Sequence, residues 1–552
     1  MKTISTLIMV LFAGLSMSQW NQNAALNTPV SVSVNDQQDL RICSDGRGGA
    51  IVTWDDYRSD INNADIYVQR IDSSGYVKWA ANGVALCTAA GHQASPVIVE
   101  DGTGGAIIVW QDWRSGERDI YAQRIDKTGS VKWAANGIGV TTKPGQQMDP
   151  KCISDGSNGA IITWQDSSAA TVWDIYAQRI DSNGALKWFA GGEMICTATN
   201  DQINPKIEND GFNNGVITWQ DKRNNTDYDI YAQMINSAGA VQWAVNGKPV
   251  CVYNYPQVNP KIEPDGTGGV YIAWQDKRWG GANYDIYAQH LNSFGSETWS
   301  TNGVGVCIYT GNQSAIDMAS EGVNGVIITW KDGRGLYNDI YAQRVSPVGI
   351  PKWSANGIVI SNAAFEQINP NIVSDGYGGA NIVWQDSSGT GWDVYSQRVD
   401  SNGAVLWPAN GVPVGNATNN QTSPKQISDG KGGIICAFQD KRSATFDIYA
   451  HHLDASGNTS IRESGRINLP RVIVTPNPSN EITAIMISLN PEIRNWKIEI
   501  FEVSGKRIIS DKISDNDIFL FDTAGREGGI YFYRITLTDD NEINLTGKFI
   551  IE

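Results

Sequence analysis

The fold is decided by a stretch of sequence that recurs along the chain. Residues 257–299 read QVNPKIEPDGTGGVYIAWQDKRWGGANYDIYAQHLNSFGSETW. Gln257 opens the stretch, Asp265 starts a glycine-rich turn, Trp274 precedes Gln-Asp, and Tyr287 lies in an Asp-Ile-Tyr motif. Each of these marks returns at intervals of about 55 residues, and such self-similarity is the signature of a repeat architecture.

Three ladders of equivalent residues give the number of repeats. The aromatic residue followed two positions later by Asp is Trp54, Trp110, Trp164, Trp219, Trp274, Trp330, Trp384 and Phe438. The tyrosine of the Asp-Ile/Val-Tyr motif is Tyr67, Tyr121, Tyr176, Tyr231, Tyr287, Tyr341, Tyr395 and Tyr449. The acidic residue before glycine is Asp45, Asp101, Asp155, Asp210, Asp265, Glu321, Asp375 and Asp429, each with a Gln eight residues earlier. All three ladders indicate eight copies of one unit.

Each unit predicts four short strands. In the quoted copy these are a strand around 260–262, one over 269–274, one over 285–291, and a fourth around Trp299. Short β-branched and aromatic runs between turn residues favour strands, and strands that are apolar on both faces suit sheets packed between neighbours. The fold class is therefore all-β, an eight-bladed β-propeller with about 55 residues per four-stranded blade.

The chain ends predict how the ring closes. A tryptophan marks the fourth strand of seven units, at Trp79, Trp133, Trp188, Trp243, Trp299, Trp353 and Trp407. The eighth unit has Ile461 in that place, whereas Trp20 precedes the first unit. We expect the N-terminal strand to complete the last blade, which leaves only short, protected edges. The alternative is an independent eighth blade that uses Ile461.

The N-terminus and the overall charge indicate where the protein works and which partners are excluded. Lys2 precedes an apolar run that is too short to span a bilayer, so residues 1–18 are interpreted as a signal peptide. No transmembrane segment is expected. The formal net charge of −16 argues against nucleic acid as a partner, because phosphate binding needs a basic face.

The cysteines are expected to remain unpaired and buried. Seven is an odd number, and four of them occupy nearly equivalent places in different repeats: Cys87, Cys196, Cys251 and Cys307. Such places lie too far apart for a disulfide, which needs Cα atoms within about 7 Å. With four histidines and no Cys-x-x-Cys motif, we expect no metal site and no cofactor.

After residue 466 the pattern changes. A proline-rich entry with Pro476, Asn477 and Pro478 leads into short alternating strands, with a Gly505-Lys506 turn, a Gly529-x-Tyr531 strand and a last strand containing Lys548. The order of these motifs over about 85 residues resembles the type A C-terminal sorting domain of the type IX secretion system. The domains are therefore a signal peptide (1–18), a propeller (19–466) and a sorting domain (467–552) with an Ig-like β-sandwich fold.

The resemblance implies a route and a partner. It implies export across the inner membrane, recognition by the type IX secretion machinery, and a final location that is secreted or attached to the outer-membrane surface. Its characteristic positions are Pro476, Asn477, Pro478, Gly505, Lys506, Gly529, Tyr531 and Lys548, each of which also suits a turn or a strand. It says nothing about the activity of the propeller.

No catalytic residues are identified. The Gln-Asp-x-Arg motif, as in Asp221 and Arg223, could support proton transfer or carboxylate binding, but its recurrence in six units favours a structural Asp–Arg pair or turn capping. Common nucleophile, zinc and phosphate-loop motifs are absent from the sequence. The histidines at 290, 451 and 452 replace members of a recurring Gln-Arg pair, which indicates variation within the repeat.

Aromatic residues between the second and third strands are the candidate ligand-binding positions. They are Trp113, Trp173, Trp279, Tyr284 and Trp392. In a propeller this connection shares a face with the blade-to-blade crossovers, and exposed aromatic rings over a polar surface suit sugar stacking. For Trp173 and Trp392 the favoured interpretation is a cap on the apolar layer between blades, and for Trp113 and Trp279 both interpretations stay open.

Three functional hypotheses follow. The chain is a secreted or surface binding module for a carbohydrate or another surface polymer, a structural or protein-interaction disc, or a polysaccharide hydrolase or lyase with an unrecognised site. An enzyme would need two carboxylates about 5–10 Å apart in a cleft. We expect a monomer whose partners are the secretion machinery and a polysaccharide or surface protein.

Overall fold

The computed structural model describes residues 20–458 except 22, 168–171, 388 and 390, and then 471–475, 482–488, 496–513, 518–523, 525–537 and 544–551. Its internal contacts divide the chain into two units, Met1–Ser460 and Ile461–Glu552. The predicted signal peptide, Ile461 and the motif at 476–478 lie outside the described residues, and the boundary at 466 stays a prediction.

The first unit consists of eight four-stranded antiparallel sheets. Its first strands are β1 (Thr28–Ser31), β2 (Gln37–Ser44), β3 (Ala50–Asp56), β4 (Asp65–Ile71), β5 (Val84–Cys87), β6 (Gln93–Glu100), β7 (Ala106–Asp112), β8 (Asp119–Ile125), β9 (Ile138–Thr141), β10 (Gln147–Ser154), β11 (Ala160–Asp166), β12 (Asp174–Ile180), β13 (Glu193–Cys196), β14 (Gln202–Asn209), β15 (Gly215–Asp221), β16 (Asp229–Ile235) and β17 (Lys248–Cys251). The remainder are β18 (Gln257–Pro264), β19 (Val270–Asp276), β20 (Asp285–Leu291), β21 (Val304–Cys307), β22 (Gln313–Ser320), β23 (Val326–Asp332), β24 (Asp339–Val345), β25 (Ile358–Ser361), β26 (Gln367–Ser374), β27 (Ala380–Asp386), β28 (Asp393–Val399), β29 (Val412–Gly415), β30 (Gln421–Ser428), β31 (Ile434–Asp440) and β32 (Asp447–Leu453). A short 3₁₀ helix covers Gly322–Asn324.

The sheets are the blades of the predicted propeller. Sheet β2-β3-β4-β5 is the first blade, and the same order recurs in the next six. The inner strands contact one another in sequence, and β2 contacts both β6 and β30, so the ring is closed. The second strand of each blade is buried along nearly its whole length because both of its faces pack against neighbouring blades.

The N-terminal strand completes the eighth blade, as predicted. Its sheet has the order β1-β32-β31-β30, and Pro29 is paired with Tyr449. Trp20, Val30, Leu40 and other side chains share one core with residues of the eighth blade, including Ile435. The two ends of the propeller are thus joined by backbone hydrogen bonds as well as by a buried apolar contact.

The predicted position of the fourth strand was wrong. In the fifth blade this strand is β21, which begins at Val304, whereas Trp299 lies in the bend before it. Asn302 and Gly303 have φ values of 62° and 84°, which turn the chain into the strand. The tryptophan instead reaches the next blade, where its indole Nε1 donates to the carbonyl of Pro347 at 2.8 Å.

The second unit is a small β-sandwich. Its strands are β33 (Arg471–Thr475), β34 (Ile482–Ser488), β35 (Trp496–Glu502), β36 (Arg507–Ile513), β37 (Ile518–Asp522), β38 (Gly529–Leu537) and β39 (Asn544–Ile551). They form sheets of order β33-β34-β37 and β36-β35-β38-β39, and both sheets contribute to a single core. Within it Tyr531 stacks on Phe549 at 5.8 Å between ring centroids.

Among the described residues, none of the helical segments has the length and apolar character needed to cross a membrane.

Candidate functional site

The eight blades present two different faces. The second strand ends and the third begins on one of them, and the crossovers from each outer strand to the next inner strand also lie there. A hydrogen bond from Trp113 N to His92 O, 2.9 Å, joins a loop of the first kind to a crossover. We call this side the crossover face. The opposite side, which carries the tight turns after the first and third strands, is the turn face.

The recurring Asp–Arg motif is a structural clamp on the crossover face. Asp221 is fully buried and accepts hydrogen bonds from Arg223 Nε at 2.8 Å, Arg223 Nη2 at 2.6 Å and Trp219 Nε1 at 2.8 Å. The guanidinium also lies 3.8 Å above the ring centroid of Tyr231. Such bidentate pairs fix geometry strongly. The carboxylate is fully engaged in the scaffold, which supports the structural interpretation.

The clamp varies between blades. In the third and seventh blades serine replaces the arginine, at positions 168 and 388. In the third blade Lys143 Nζ lies 4.0 Å above the ring centroid of Tyr176, the place that an arginine takes elsewhere. The third blade therefore keeps a cation over its tyrosine ring.

The histidines and cysteines also act as scaffold. His290 Nε2 lies 2.8 Å from Asp265 Oδ2 and His452 Nε2 lies 3.0 Å from Asp429 Oδ2. Five of the other blades carry an arginine at this position, and the fourth carries Met234. All seven cysteines are free, in agreement with the expectation from their spacing. Burial raises the pKa of Cys87 to about 12, which makes its thiol inert.

Three of the predicted aromatic residues are fastened at the start of a third strand. Trp173 N donates to Asp201 Oδ1 at 3.1 Å, and its carbonyl accepts from Gln202 N at 2.6 Å. Tyr284 and Trp392 make the same two contacts with the following blade, and all three side chains are half-buried. Their backbone joins neighbouring blades, which agrees with the capping interpretation.

The other two predicted residues differ in exposure. Trp113 is half-buried between His92, 5.0 Å away between ring centroids, and the guanidinium of Arg118 at 5.1 Å. Trp279 is 70% exposed on the crossover face. The five predicted residues lie in four different blades, so the structure does not bring them together into one site.

Sequence reasoning missed three exposed tyrosines in the crossovers on either side of the blade that carries Trp279. Tyr253 and Tyr255 lie in the crossover from β17 to β18, and Tyr309 lies in the next crossover. The aromatic surface, as we define it, consists of Tyr253, Tyr255, Trp279, Tyr309 and Tyr337. All five side chains are exposed by 39% or more.

Contacts within the aromatic surface order its loops. The ring of Tyr255 lies against Gly280, where a Cβ atom would come 3.3 Å from Tyr255 Cζ. Arg278 lies 4.9 Å from the ring centroid of Tyr253, and Arg334 lies 4.6 Å from that of Tyr309. The clamp arginines therefore hold two of the exposed tyrosine rings in place.

One member of the aromatic surface has a strained backbone. Tyr255 has a φ of 65°, and Phe365 has a φ of 67° at the equivalent place two blades further on. The other six blades have glycine or asparagine there, at Asn35, Gly91, Gly145, Asn200, Gly311 and Asn419. Bulky residues in the left-handed region cost about 1–3 kcal/mol and are concentrated at functional sites. A sequence signal existed, since aromatic residues in these crossovers break the repeat.

Buried carboxylates lie beneath the aromatic surface. Asp229 Oδ1 accepts from Tyr253 N at 3.3 Å, and Asp229 Oδ2 accepts from Asn224 Nδ2 at 2.9 Å. Burial raises the pKa of Asp229 to about 6, and burial does the same for Asp285. Asp229 is 1% exposed, so its carboxyl holds the crossover and is not presented to a ligand.

The C-terminal unit matches a known family of export signals. Residues 474–552 match the family model described as "Secretion system C-terminal sorting domain". Residues 474–552 are a sorting domain. This confirms the predicted resemblance and supports export by type IX secretion to the cell surface or the extracellular space. The assignment to type A stays a prediction.

Four of the sorting-domain positions have local roles in turns and strands. Gly505 has a φ of 81° in a turn where its N–H donates to Glu502 O at 2.9 Å. Lys506 and Lys548 are exposed, whereas Tyr531 is buried and its hydroxyl donates to Glu527 O at 2.9 Å. These roles fit recognition of the folded sorting domain as a whole.

Solved structures similar to the chain are β-propeller proteins of low sequence identity. A PL25 ulvan lyase bound to -[GlcA(1-4)Rha3S]- matches with 11% identity and a TM-score of 0.43, over 80% of this chain and 98% of the lyase. An α-L-arabinanase of Penicillium chrysogenum matches with 12% identity and a TM-score of 0.34 over 78% and 98%. An endo-arabinase of Bacteroides thetaiotaomicron matches with 13% identity and a TM-score of 0.28 over 52% and 99%. Such scores carry no argument about ligand or activity. Curated proteins gave no match.

Proposed function

We propose that the propeller is an exported binding module that holds a carbohydrate, or another surface polymer, on the aromatic surface of its crossover face. The observation that carries this proposal is the break in symmetry around Trp279. A residue that occurs in every blade is explained by its role in the repeated scaffold. Exposed aromatic residues that occur in only some blades are not needed for that scaffold, which indicates a role in binding. A signal peptide over residues 1–18, with release or surface attachment afterwards, is part of the proposal.

The chemistry of the aromatic surface suits sugar rings. Exposed aromatic faces bind the apolar C–H faces of pyranose and furanose rings, while nearby polar groups take up the hydroxyls. Trp279 is 70% exposed, and Asn312 and other amides of the crossovers lie on the same face. The clamp arginines and the contact with Gly280 hold the loops in place, which reduces the entropy lost when a ligand binds.

The scaffold role of the aspartates favours binding over catalysis. The clamp carboxylates, such as Asp221, are buried and bidentate, and Asp229 is held by Asn224 and by the backbone of Tyr253. General acid–base chemistry needs a carboxyl within reach of the substrate. These aspartates instead face their own loops.

The experiment that tests the proposal is a binding screen with the chain from residue 19 onward. Affinity electrophoresis in gels that contain neutral or acidic polysaccharides detects retention, and an assay of new reducing ends on the same samples detects cleavage. We expect retention without new reducing ends on at least one polymer. New reducing ends would replace the proposal with a hydrolase, and chain cleavage with a rise in absorbance from an unsaturated product would indicate a lyase.

Two variants locate the binding face. Trp279→Ala removes the most exposed ring of the aromatic surface and should weaken retention about tenfold, equivalent to ~1.4 kcal/mol. Phe294→Ala is the matched control, because Phe294 is 77% exposed in the same blade but lies in a turn of the opposite face. Equal losses in both variants would contradict the assignment of the face. Absence of retention on every polymer would favour a protein partner.

A further inference from the structure

The central channel concentrates positive charge in an acidic protein. The fifth residue of each inner strand forms one ring around the channel: Arg41, Val97, Lys151, Lys206, Lys261, Asp317, Asn371 and Lys425. Five of these eight are cations, although the chain has a net charge of −16. We call these five the channel cations. The acidic overall composition does not account for five cations at the same height in the channel.

Nearby carboxylates neutralise only part of the positive charge of the channel cations. Arg41 pairs with Asp39 at 2.8 Å, and Lys261 pairs with Asp317 at 2.9 Å. Asp317 is also bound by Asn371 Nδ2 at 2.6 Å. Two carboxylates are therefore engaged by two of the channel cations.

The remaining lysines point toward weaker acceptors. Lys151 Nζ donates to the carbonyls of Asp149 and Pro150, and Lys206 Nζ donates to Asn204 and to the carbonyl of Pro205. Burial in the channel lowers the pKa of Lys151 to about 8 and that of Lys425 to about 8. Burial also lowers the pKa of Lys206, and the neighbouring Lys151 and Lys261 add to the effect. Unmatched buried ammonium groups are costly, and an anion would offset that cost.

A cavity of about 420 Å³ lies directly beside these lysines. It is lined by Lys206, Lys261, Lys425 and Arg41, by Asp39, which is paired with Arg41, and by the amides of Asn204, Asn259 and Asn369. The three asparagines are the third residues of their strands, so the cavity lies on the crossover side of the channel cations. Asn204 Nδ2 donates to Gln220 Oε1 at 2.9 Å and to Asn259 Oδ1 at 3.3 Å, and Asn369 Nδ2 donates to Gln385 Oε1 at 3.0 Å. The ammonium groups of the lysines are therefore the main donors that the cavity offers to an oxyanion.

Two carboxyl groups lie on the opposite side of the channel cations. Glu208 and Glu263 occupy the next level and line a second cavity of about 300 Å³ together with Lys151 and Lys206. Burial raises the pKa of Glu208 to about 7, and burial with the neighbouring Glu208 raises that of Glu263. These carboxyl groups repel an anion once they ionise, so we place the anion in the cavity on the crossover side.

We propose that this cavity is an oxyanion-binding site, which takes a sulfate, phosphate or carboxylate group between Lys206 and Lys425. The group could belong to a free inorganic ion or to an acidic sugar of a polymer held on the crossover face. The second source rests on the proposed function, whereas the first is independent of it.

The test is calorimetric titration of the chain from residue 19 with sodium sulfate and sodium phosphate, at constant ionic strength set by sodium chloride. We expect saturable binding that Lys206→Gln and Lys425→Gln each weaken at least tenfold. Lys127→Gln changes the charge equally at an exposed turn and should leave binding unchanged. Thermal unfolding shows whether each variant folds, and either channel variant suffices if the other does not fold.

A second arm distinguishes the two sources. Sulfated and uronate-bearing oligosaccharides are compared with neutral ones of the same length. Tighter binding of the acidic ones, lost in Lys206→Gln, assigns the site to a polymer group. Saturable binding of inorganic ions with no preference among oligosaccharides assigns it to a free ion, and stands even if the proposed function fails. No saturable heat with any of these anions, or equal weakening in Lys127→Gln, overturns the proposal.

Discussion

The indole Nε1 of Trp20 donates a hydrogen bond to the carbonyl oxygen of Ser73 at 3.1 Å, although the two residues are 53 positions apart. The same bond joins Trp79 to Lys127 and Trp407 to Ala455, in each case from one blade to the next. Trp20 thus makes, from the eighth blade to the first, the contact that the other tryptophans make between consecutive blades. The N-terminus therefore supplies both the last strand and the last tryptophan of the ring.

Trp20→Ala should loosen the closure of the ring. Gly75 packs so closely on this indole that a Cβ there would lie 2.8 Å from Trp20 Cδ2, and burying the ring contributes about 3–5 kcal/mol. Hydrogen exchange of the amides in β1 should accelerate, together with a lower melting temperature. Trp79→Ala removes an equivalent bond inside the ring and should leave exchange in β1 unchanged. Equal exchange of β1 in the two variants would contradict the closing role of Trp20.

Arg223→Ala should destabilise the propeller through the clamp. It leaves the fully buried Asp221 without its bidentate partner, at a cost of about 3–5 kcal/mol in the free energy of unfolding by urea. The double variant Arg223→Ala/Asp221→Asn should lose less, because no buried charge remains unpaired. Arg47→Ala, at an exposed position, is the control and should stay within about 0.5 kcal/mol of wild type. If the double variant lost as much stability as Arg223→Ala and Asp221→Asn lose together, the structural role of the clamp would be contradicted.

Tyr255→Asn should make the propeller more stable. Asparagine tolerates the φ of 65° at this position better than tyrosine, so we expect the free energy of unfolding to rise by about 1 kcal/mol. Tyr253, whose backbone is not among the left-handed residues, provides the control variant Tyr253→Asn, which should give no such gain. A loss of stability in Tyr255→Asn equal to that in Tyr253→Asn would show that the tyrosine is held without strain.

Oxyanion binding should weaken as the pH rises from 6.5 to 9.5. Lys151 and Lys425 have a pKa of about 8, so they lose their charge in this range, and Glu208, with a pKa of about 7, gains one. Both changes oppose an anion, and the affinity for sulfate, which does not titrate here, should fall at least tenfold. The other titratable and charged groups that face the site are Asp39, Arg41, Asp149, Lys206, Lys261, Glu263 and Asp317.

The control for this pH dependence is proton uptake. At pH 8 sulfate binding should take up protons, which appears as a binding enthalpy that depends on the ionisation enthalpy of the buffer. Lys127→Gln should behave like wild type. An affinity that stays constant between pH 6.5 and 9.5 would contradict the role of these lysines.

The repeat predicted the ring of blades because the residues that recur in it hold each blade together. Asp265 accepts from Gly269 N in a turn, and Trp274 Nε1 donates to Asp276, contacts that other blades repeat. The predicted third strand over 285–291, which carries Tyr287, coincides with β20. The fourth strand was misplaced because Trp299 resembles a strand residue in type, whereas its role is to contact the next blade.

The candidate site was only partly predictable. Trp279 was identified because it stands in a variable loop, but the sequence does not reveal that Tyr255 adopts a left-handed backbone in a crossover. The lysines at 206 and 425 were not recognised either. Alternation along an inner strand does not by itself tell which residues face the channel.

The central claim is that the aromatic surface binds the ligand, and retention on a polysaccharide identified by the screen tests it most directly. Dissociation constants are measured by affinity electrophoresis for the wild type, Trp279→Ala, Tyr255→Asn and the opposite-face control Phe294→Ala. The account predicts binding weakened about tenfold or more in the first two variants and unchanged in the control, while Tyr255→Asn stays folded. Full retention by Trp279→Ala and Tyr255→Asn would contradict it.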